Sequence, residues 1–371
     1  MKKVMAVFGT RPEAIKMAPV VKALEEVPNL DTVVCVTAQH REMLDQVLDL
    51  FKIVPQYDLD VMKDRQDLFD IATSVLRGFR EVLLKERPDL VLVHGDTSTT
   101  FFGALSAYYL QIPVGHVEAG LRTRDKYSPF PEEINRTLTG QLADLHFAPT
   151  EWSRANLLAE AVPAEKIWVT GNTVIDALLQ TVTPSHKFTS ELSGIDFSRR
   201  ILLVTTHRRE NWGNHMRDIY AALLQLVEEF EDVEVVFPVH RNPTVKDLAE
   251  EMLGGRERIH LLDPLEYEAF ANLMNASYIV MTDSGGLQEE APSLGKPVLV
   301  LRDTTERPEA IQAGTVQLVG TVQNNVYKAT RRLLLDRSQY DKMAQAINPY
   351  GDGKAAIRIV RVITDFLYVR I

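Results

Sequence analysis

The chain has 371 residues, of which 45% are hydrophobic and 25% charged, which suits two ordinary globular domains rather than a fibrous or disordered chain. A formal net charge of −10 excludes a general attraction for nucleic acid or anionic lipid, so an anionic ligand needs a locally basic pocket. No apolar run approaches the roughly 18–20 residues of a membrane span, and the single cysteine, Cys35, fits a reducing cytoplasm. The N-terminal apolar run is five residues long and is broken by Thr10-Arg11-Pro12-Glu13, so it reads as a first strand and not as a signal peptide.

From that point apolar, β-branched runs alternate with helix-period stretches. Strands are predicted at 3–8, 33–37, 90–93, 114–117, 145–148 and 167–170 in the first half. In the second half they are predicted at 201–206, 234–239, 259–262, 278–281 and 298–301. Between the strands, Met216, Ile219, Leu223, Leu226 and Phe230 recur at spacings of three and four, one face of a helix. Alternating strands and helices imply parallel sheets with right-handed crossovers. Residues 181–200 are polar, contain Pro184 and Gly194 and keep no period, so they read as the connection between two domains. The expected organisation is a Rossmann-like domain over 1–180 and a second over 181–353. The helical tail at about 354–371 is expected to pack back on the first. The expected fold class is α/β, two doubly wound domains facing a central cleft, with ligands outside the carboxyl ends of the strands.

Chemistry is therefore sought just after strands. The first strand leads into "FGTRPEAIKMAP", where Gly9 allows close approach and Arg11 and Lys16 stand near a helix N-terminus that favours an anion. The spaced glycines and Lys-Ser/Thr pair of a P-loop are missing. The strand at 90–93 ends in "HGDTSTT", where Asp96 or Ser98 could cap a helix. The next ends in "HVEAGLRT", where Glu118 caps no obvious helix. Glu132 and Glu133 then open a helix after Pro131, and Arg136 is spaced to pair with Glu132. Three carboxylates at the mouth of one sheet raise one another's proton affinity, which acid–base catalysis uses. No metal-ligand spacing, nucleophile elbow or reactive-cysteine context accompanies them, so neither a metal nor another cofactor is expected.

In the second half, His207, Arg208 and Arg209 follow a strand directly and suit a diphosphate. Ser284, Gly285 and Gly286 offer backbone N–H groups at a helix start, an anion nest, and Glu290 lies one turn on, where a carboxylate can accept both hydroxyls of a ribose. Arg307-Pro308-Glu309 repeats the same turn chemistry.

The segments "FGTRPEAIKMAPV", "VHGDTSTT", "HVEAGLRT", "SPFPEEINR", "GNTVIDAL", "THRREN" and "TDSGGLQEEAPSLGKPVLVLRDTTERPEA" resemble the bacterial non-hydrolysing UDP-N-acetylglucosamine 2-epimerases over nearly the whole chain. The resemblance implies a glycosyltransferase-B type fold, a homodimer, and interconversion of UDP-GlcNAc and UDP-ManNAc for surface polysaccharide. Elimination of UDP to 2-acetamidoglucal and re-addition would carry the reaction. It implies Asp96, Glu118 and Glu132 as the proton-handling group, with Arg136 and His207 in support. Arg11, Lys16, His207, Ser284, Gly285, Gly286 and Arg307 would hold the diphosphate, Glu290 the ribose, and Phe270 and the backbone of Leu265 the uracil. A second UDP-GlcNAc, acting as activator, would meet Gln39, His40, Arg65, Gln66, Glu132, Arg208 and His240. The alternative reading is a UDP-sugar glycosyltransferase on the same fold, which would need an acceptor.

Overall fold

The computed structural model describes all residues except 39–40, 63–65, 189–191 and 369–371, so Gln39, His40 and Arg65 lie outside the described residues. Two compact units result: Met1–Leu179 with Tyr350–Ile371, and Gln180–Pro349.

The first unit runs β1 (Lys2–Phe8), α1 (Arg11–Glu25), β2 (Leu30–Val36), α2 (Arg41–Phe51), β3 (Tyr57–Asp58), α3 (Leu68–Glu86), β4 (Leu90–His94), α4 (Ser98–Tyr109), β5 (Val114–Val117), α5 (Glu132–Leu142), β6 (Leu145–Ala148), α6 (Glu151–Ala159), β7 (Ile167–Val169) and α7 (Thr173–Thr181). Its sheet is parallel throughout, in the order β3-β2-β1-β4-β5-β6-β7. The strands read as unbroken Val/Ile/Leu runs because helices cover both faces, leaving no solvated side to alternate toward. Met5, Val7, Cys35, Phe79, Val91 and Val93 form the core on one face. Thr10 starts α1 with a capping box: its hydroxyl accepts the Glu13 N–H, and the Glu13 carboxylate accepts the Thr10 N–H.

The second unit runs β8 (Arg200–Thr205), α8 (Asn214–Glu229), β9 (Val233–Pro238), α9 (Pro243–Leu253), β10 (Ile259–Leu262), α10 (Tyr267–Ala276), β11 (Ile279–Thr282), α11 (Gly285–Glu290), β12 (Val298–Val300), α12 (Pro308–Ala313), β13 (Val316–Leu318), α13 (Gln323–Leu335) and α14 (Arg337–Ala344). Its sheet is parallel in the order β10-β9-β8-β11-β12-β13. Met216, Ile219, Leu223 and Leu226 bury the inner face of α8, as their spacing predicts. The chain closes with α15 (Ala355–Tyr368), which packs on α1 through a face that buries Ile359 and Ile363. Asp176 caps it, accepting the N–H groups of Ala355 at 3.1 Å and Ala356 at 2.9 Å.

Two strands were not predicted: β3, of two residues, and β13, of three. Both are edge strands, too short to carry a period of their own. In each sheet the strand order reverses beside the first strand, between β1 and β4 and between β8 and β11. Crevices open at such switch points, and the turns after these strands hold the candidate residues singled out in the sequence. Among the described residues no helix is long and apolar enough to cross a membrane.

Candidate active site

In the first unit one buried carboxylate ties the turn after β1 to the turn after β4. Glu13 is 3% exposed, and its carboxylate accepts the N–H groups of Gly9 at 3.0 Å and Thr10 at 2.8 Å. It also accepts the hydroxyls of Thr97 at 2.7 Å and Thr100 at 3.1 Å. Burial pushes its proton affinity up, although these donors work against the shift. Gly9 was expected to admit a ligand. Instead a hydroxyl pair occupies the space: a Cβ on Gly9 would stand 2.0 Å from Thr37 Oγ1 and 2.6 Å from Thr99 Oγ1, whose oxygens are 2.7 Å apart. The helix after β4 is capped by Thr97, which accepts the Thr100 N–H, and not by Asp96 or Ser98. That releases the Asp96 side chain, and Gly95, with φ +68°, makes the turn that presents it.

Asp96 Oδ2 lies 2.8 Å from Arg136 Nη2. Its carboxyl is nevertheless pushed up to about 6, chiefly by burial, against the Arg136 charge and with help from Glu118. Arg136 has its second acidic neighbour in Glu133, 3.6 Å away, rather than in Glu132, to which its spacing had pointed. The reason is facing: Glu133 is buried with Arg136, and Glu132 sits half-exposed at the first position of α5.

Glu118 holds a left-handed backbone, φ +63°, which a glutamate adopts only under constraint. The constraint is visible at its carboxylate. Lys16 Nζ is 2.5 Å from Oε1, Asn172 Nδ2 donates to the same oxygen at 3.1 Å, and His94 Nε2 is 3.2 Å from Oε2. Lys16, expected at the diphosphate, is thus paired with Glu118, while Arg11 opens α1 half-buried. Glu13, His94 and Asn172 were missed as site residues. Only Glu13 left a signal, the Thr-x-x-Glu spacing of the capping box.

In the second unit the same kind of tie is made by Asp283, which is fully buried. Its Oδ2 accepts the N–H groups of His207 and Arg208, both at 2.9 Å, and the Asn211 amide at 3.1 Å. His207 Nδ1 lies 3.1 Å from Oδ1. Burial alone would raise this carboxyl, but the His207 contact and the backbone donors outweigh it and hold the proton affinity below the ordinary value. Asn211 also donates to Leu301 O at 3.0 Å, so the turns after β8, β11 and β12 are joined.

Ser284 is the N-cap residue of α11. Gln288 Nε2 donates to Ser284 O at 3.1 Å, Thr305 Oγ1 donates to Gln288 Oε1 at 2.6 Å, and the Arg307 N–H donates to Thr305 Oγ1 at 3.1 Å. Arg307 Nε reaches Glu289 Oε1 at 2.5 Å. A Cβ on Gly286 would approach Glu290 Oε1 to 3.4 Å and one on Gly285 would approach Arg307 Nη2 to 3.7 Å, so both glycines sit under the side chains expected to hold a nucleotide. Phe270 is half-buried on α10, while Leu265 is buried, its side chain turned to the interior. Of the expected activator residues, Gln66 donates to Val61 O at 2.8 Å and Arg208 is half-buried. His240 is exposed, its ring stacked on His207 at 5.8 Å. Among the described residues no group of three metal-ligating side chains occurs.

A model of the UDP-N-acetylglucosamine 2-epimerase family matches residues 22–364. The UDP-N-acetylglucosamine 2-epimerase of Bacillus subtilis is 57% identical over 360 residues, 96% of this chain and 94% of that enzyme. The enzyme of Escherichia coli K12 is 55% identical over 370 residues, 98% of each. A solved UDP-GlcNAc 2-epimerase from Neisseria meningitidis, bound to UDP-GlcNAc, aligns with a TM-score of 0.85 at 49% identity, over 98% of this chain and all of that one. A buried acid–base cluster in one Rossmann-like unit, a glycine turn with an arginine in the other, and full-length relatives of this kind lead to one conclusion: the chain belongs to the UDP-N-acetylglucosamine 2-epimerase family.

Proposed function

We propose that the protein interconverts UDP-GlcNAc and UDP-ManNAc by eliminating UDP and adding it back. Carbon 2 of the hexose is not beside a carbonyl, so its proton cannot simply exchange. Asp96 takes that proton, the C–H electron pair becomes the double bond of 2-acetamidoglucal, and the bond from carbon 1 to the diphosphate oxygen breaks toward phosphate. Re-addition with a proton on the other face inverts carbon 2. Glu118 and Glu132 complete the proton-handling group, and Arg136 balances the charge on Asp96. His207, Ser284, Gly285, Gly286 and Arg307, with Arg11 and Lys16, hold the diphosphate as it leaves. Glu290 takes the ribose, and Phe270 with the Leu265 backbone the uracil.

The observation that carries this reading is the Asp96 carboxyl, raised to about 6 and 2.8 Å from a guanidinium, in the field of a glutamate held by Lys16 and Asn172. A carboxylate poised near neutrality suits proton abstraction and has no evident use in simple ligand binding. Incubation with UDP-GlcNAc in deuterated water, without acceptor, tests it. Deuterium at carbon 2 is expected; its absence would favour the glycosyltransferase. A homodimer and activation by a second UDP-GlcNAc at Gln66, Glu132, Arg208 and His240, with Gln39, His40 and Arg65, belong to the same proposal. Sigmoidal dependence of the forward rate on UDP-GlcNAc, lost in Gln66→Ala, is the expected sign.

A further inference from the structure

Arg302 follows Leu301 directly, in the turn after β12, and was not among the residues expected in the site; nor were Glu210 and Glu306. It is 5% exposed, and a guanidinium taken out of water needs anionic partners. It has two. Nε donates to Glu210 Oε1 at 2.7 Å. Nη1 and Nη2 donate side by side to Glu306, to Oε2 at 2.8 Å and Oε1 at 2.9 Å. Pairing of two forks fixes direction as well as distance, and a lysine does not reproduce it. Both carboxylates adjoin residues that the proposed function uses. Glu210 stands in the turn that carries His207 and Arg208, and Glu306 directly precedes Arg307. The Glu306 carboxyl is held down to about 2, chiefly by its bonds to Arg302, so the pair stays charged throughout neutral pH. The same segment is fastened on its other side. Thr305 Oγ1 donates to Gln288 and accepts the Arg307 N–H, and Gln288 donates to Ser284 O. Residues 302–307 are thus bonded both to the turn after β8 and to α11.

We propose that Arg302 is a positioning residue: by clasping Glu210 and Glu306 it holds the turn of His207 and the turn of Arg307 in one register, so that both side chains serve the diphosphate of the nucleotide sugar. The service to the diphosphate rests on the proposed function; the clasp does not. Arg302 acts through its neighbours, with three of its N–H groups committed within the protein. Without it, two carboxylates stand unneutralised beside groups that bind an anion, and the segment before Arg307 loses its tie to the turn after β8.

The test uses the full chain, with UDP as the probe. Glu306→Gln changes an exposed side chain and removes one negative charge next to Arg307. By charge alone, UDP should then bind more tightly. The clasp requires the opposite, because the new amide NH2 faces a guanidinium N–H and cannot accept from it. Kd for UDP by calorimetry and KM for UDP-GlcNAc should both rise about tenfold, the weight of one charge-assisted hydrogen bond. Loss of folded protein would lower the maximal rate and leave both constants unmoved. Arg302→Lys keeps the charge, gives up the fork, and should show the same rise. Wild-type affinity in either variant, or tighter binding in Glu306→Gln, overturns the proposal. If the wild-type protein binds no UDP, the functional reading fails. Amide hydrogen exchange over residues 303–307 then decides the clasp: faster exchange in Glu306→Gln upholds it, and equal exchange removes it.

Discussion

Asp96 and Asp283 invite comparison. Each follows the central strands of a parallel sheet, Asp283 fully buried and Asp96 half-buried, and each has a basic side chain at about 3 Å. Yet one carboxyl is raised to about 6 and the other is held below its ordinary value. The difference lies in the donors. Asp283 receives two backbone N–H groups and an amide on a single oxygen. Asp96 has one guanidinium and feels the negative charges of Glu118 and Glu13. Burial has no fixed sign of effect on function: with donors it makes an anchor, and beside like charges it makes a proton carrier.

The sharpest break of that comparison is Asp96→Asn. Turnover should drop by about 10²- to 10⁴-fold with UDP binding retained, measured by steady-state assay and calorimetry. In the wild type the rate should fall as pH drops below about 6, because the base becomes protonated.

Acid should also weaken the first unit as a whole. His94, His116 and His146 are buried on neighbouring strands β4, β5 and β6, and burial lowers them to about 4, 3 and 4. Their folded values lie below the ordinary 6.5, so the unfolded chain takes up protons that the folded one refuses. Their stabilisation is complete above pH 6.5 and is lost as pH falls toward 4 and below, by up to about 1.4 kcal/mol per pH unit for each. Hydrogen exchange of the β4–β6 amides at pH 7 and pH 5 would register it, and equal protection at both values would contradict it.

Glu13→Ala comes next. It strands the Gly9 and Thr10 N–H groups beneath the turn that leads to α1, at a cost of about 3 kcal/mol by chemical denaturation. Activity should fall beyond the loss of folded protein, since Thr97 and Thr100 beside Asp96 are released too. The smallest effect is expected in the second unit. Asn211→Ala removes one of three donors from Asp283 Oδ2 and leaves Leu301 O short of a partner. About 1–2 kcal/mol of stability should be lost, with the first unit's protection unchanged.

The long strands and the amphipathic helices were legible because period and β-branching are local properties; β3 and β13 were not, since a sheet edge is defined by its neighbour. Asp96 and Glu118 stood out as acidic residues at strand ends, where a doubly wound sheet places its ligands. Pairing was another matter. Arg136 faces Asp96 from 40 residues downstream (136 − 96), and the (i, i+4) rule had offered it Glu132. Glu13 and Asp283 were not among the expected site residues, and nothing near them in the chain announces five acceptor contacts or a histidine 76 residues away.

By itself, then, the order of residues determined the alternation of strand and helix, the parallel sheets that follow from it, and the turns at which acid and glycine accumulate. These depend on periods of two to four residues and on short-range sterics. Tertiary structure alone decided which of the carboxylates became proton-hungry and which became anchors. Proton affinity depends on desolvation and on donors contributed by distant turns, and both come into being only when the sheets assemble.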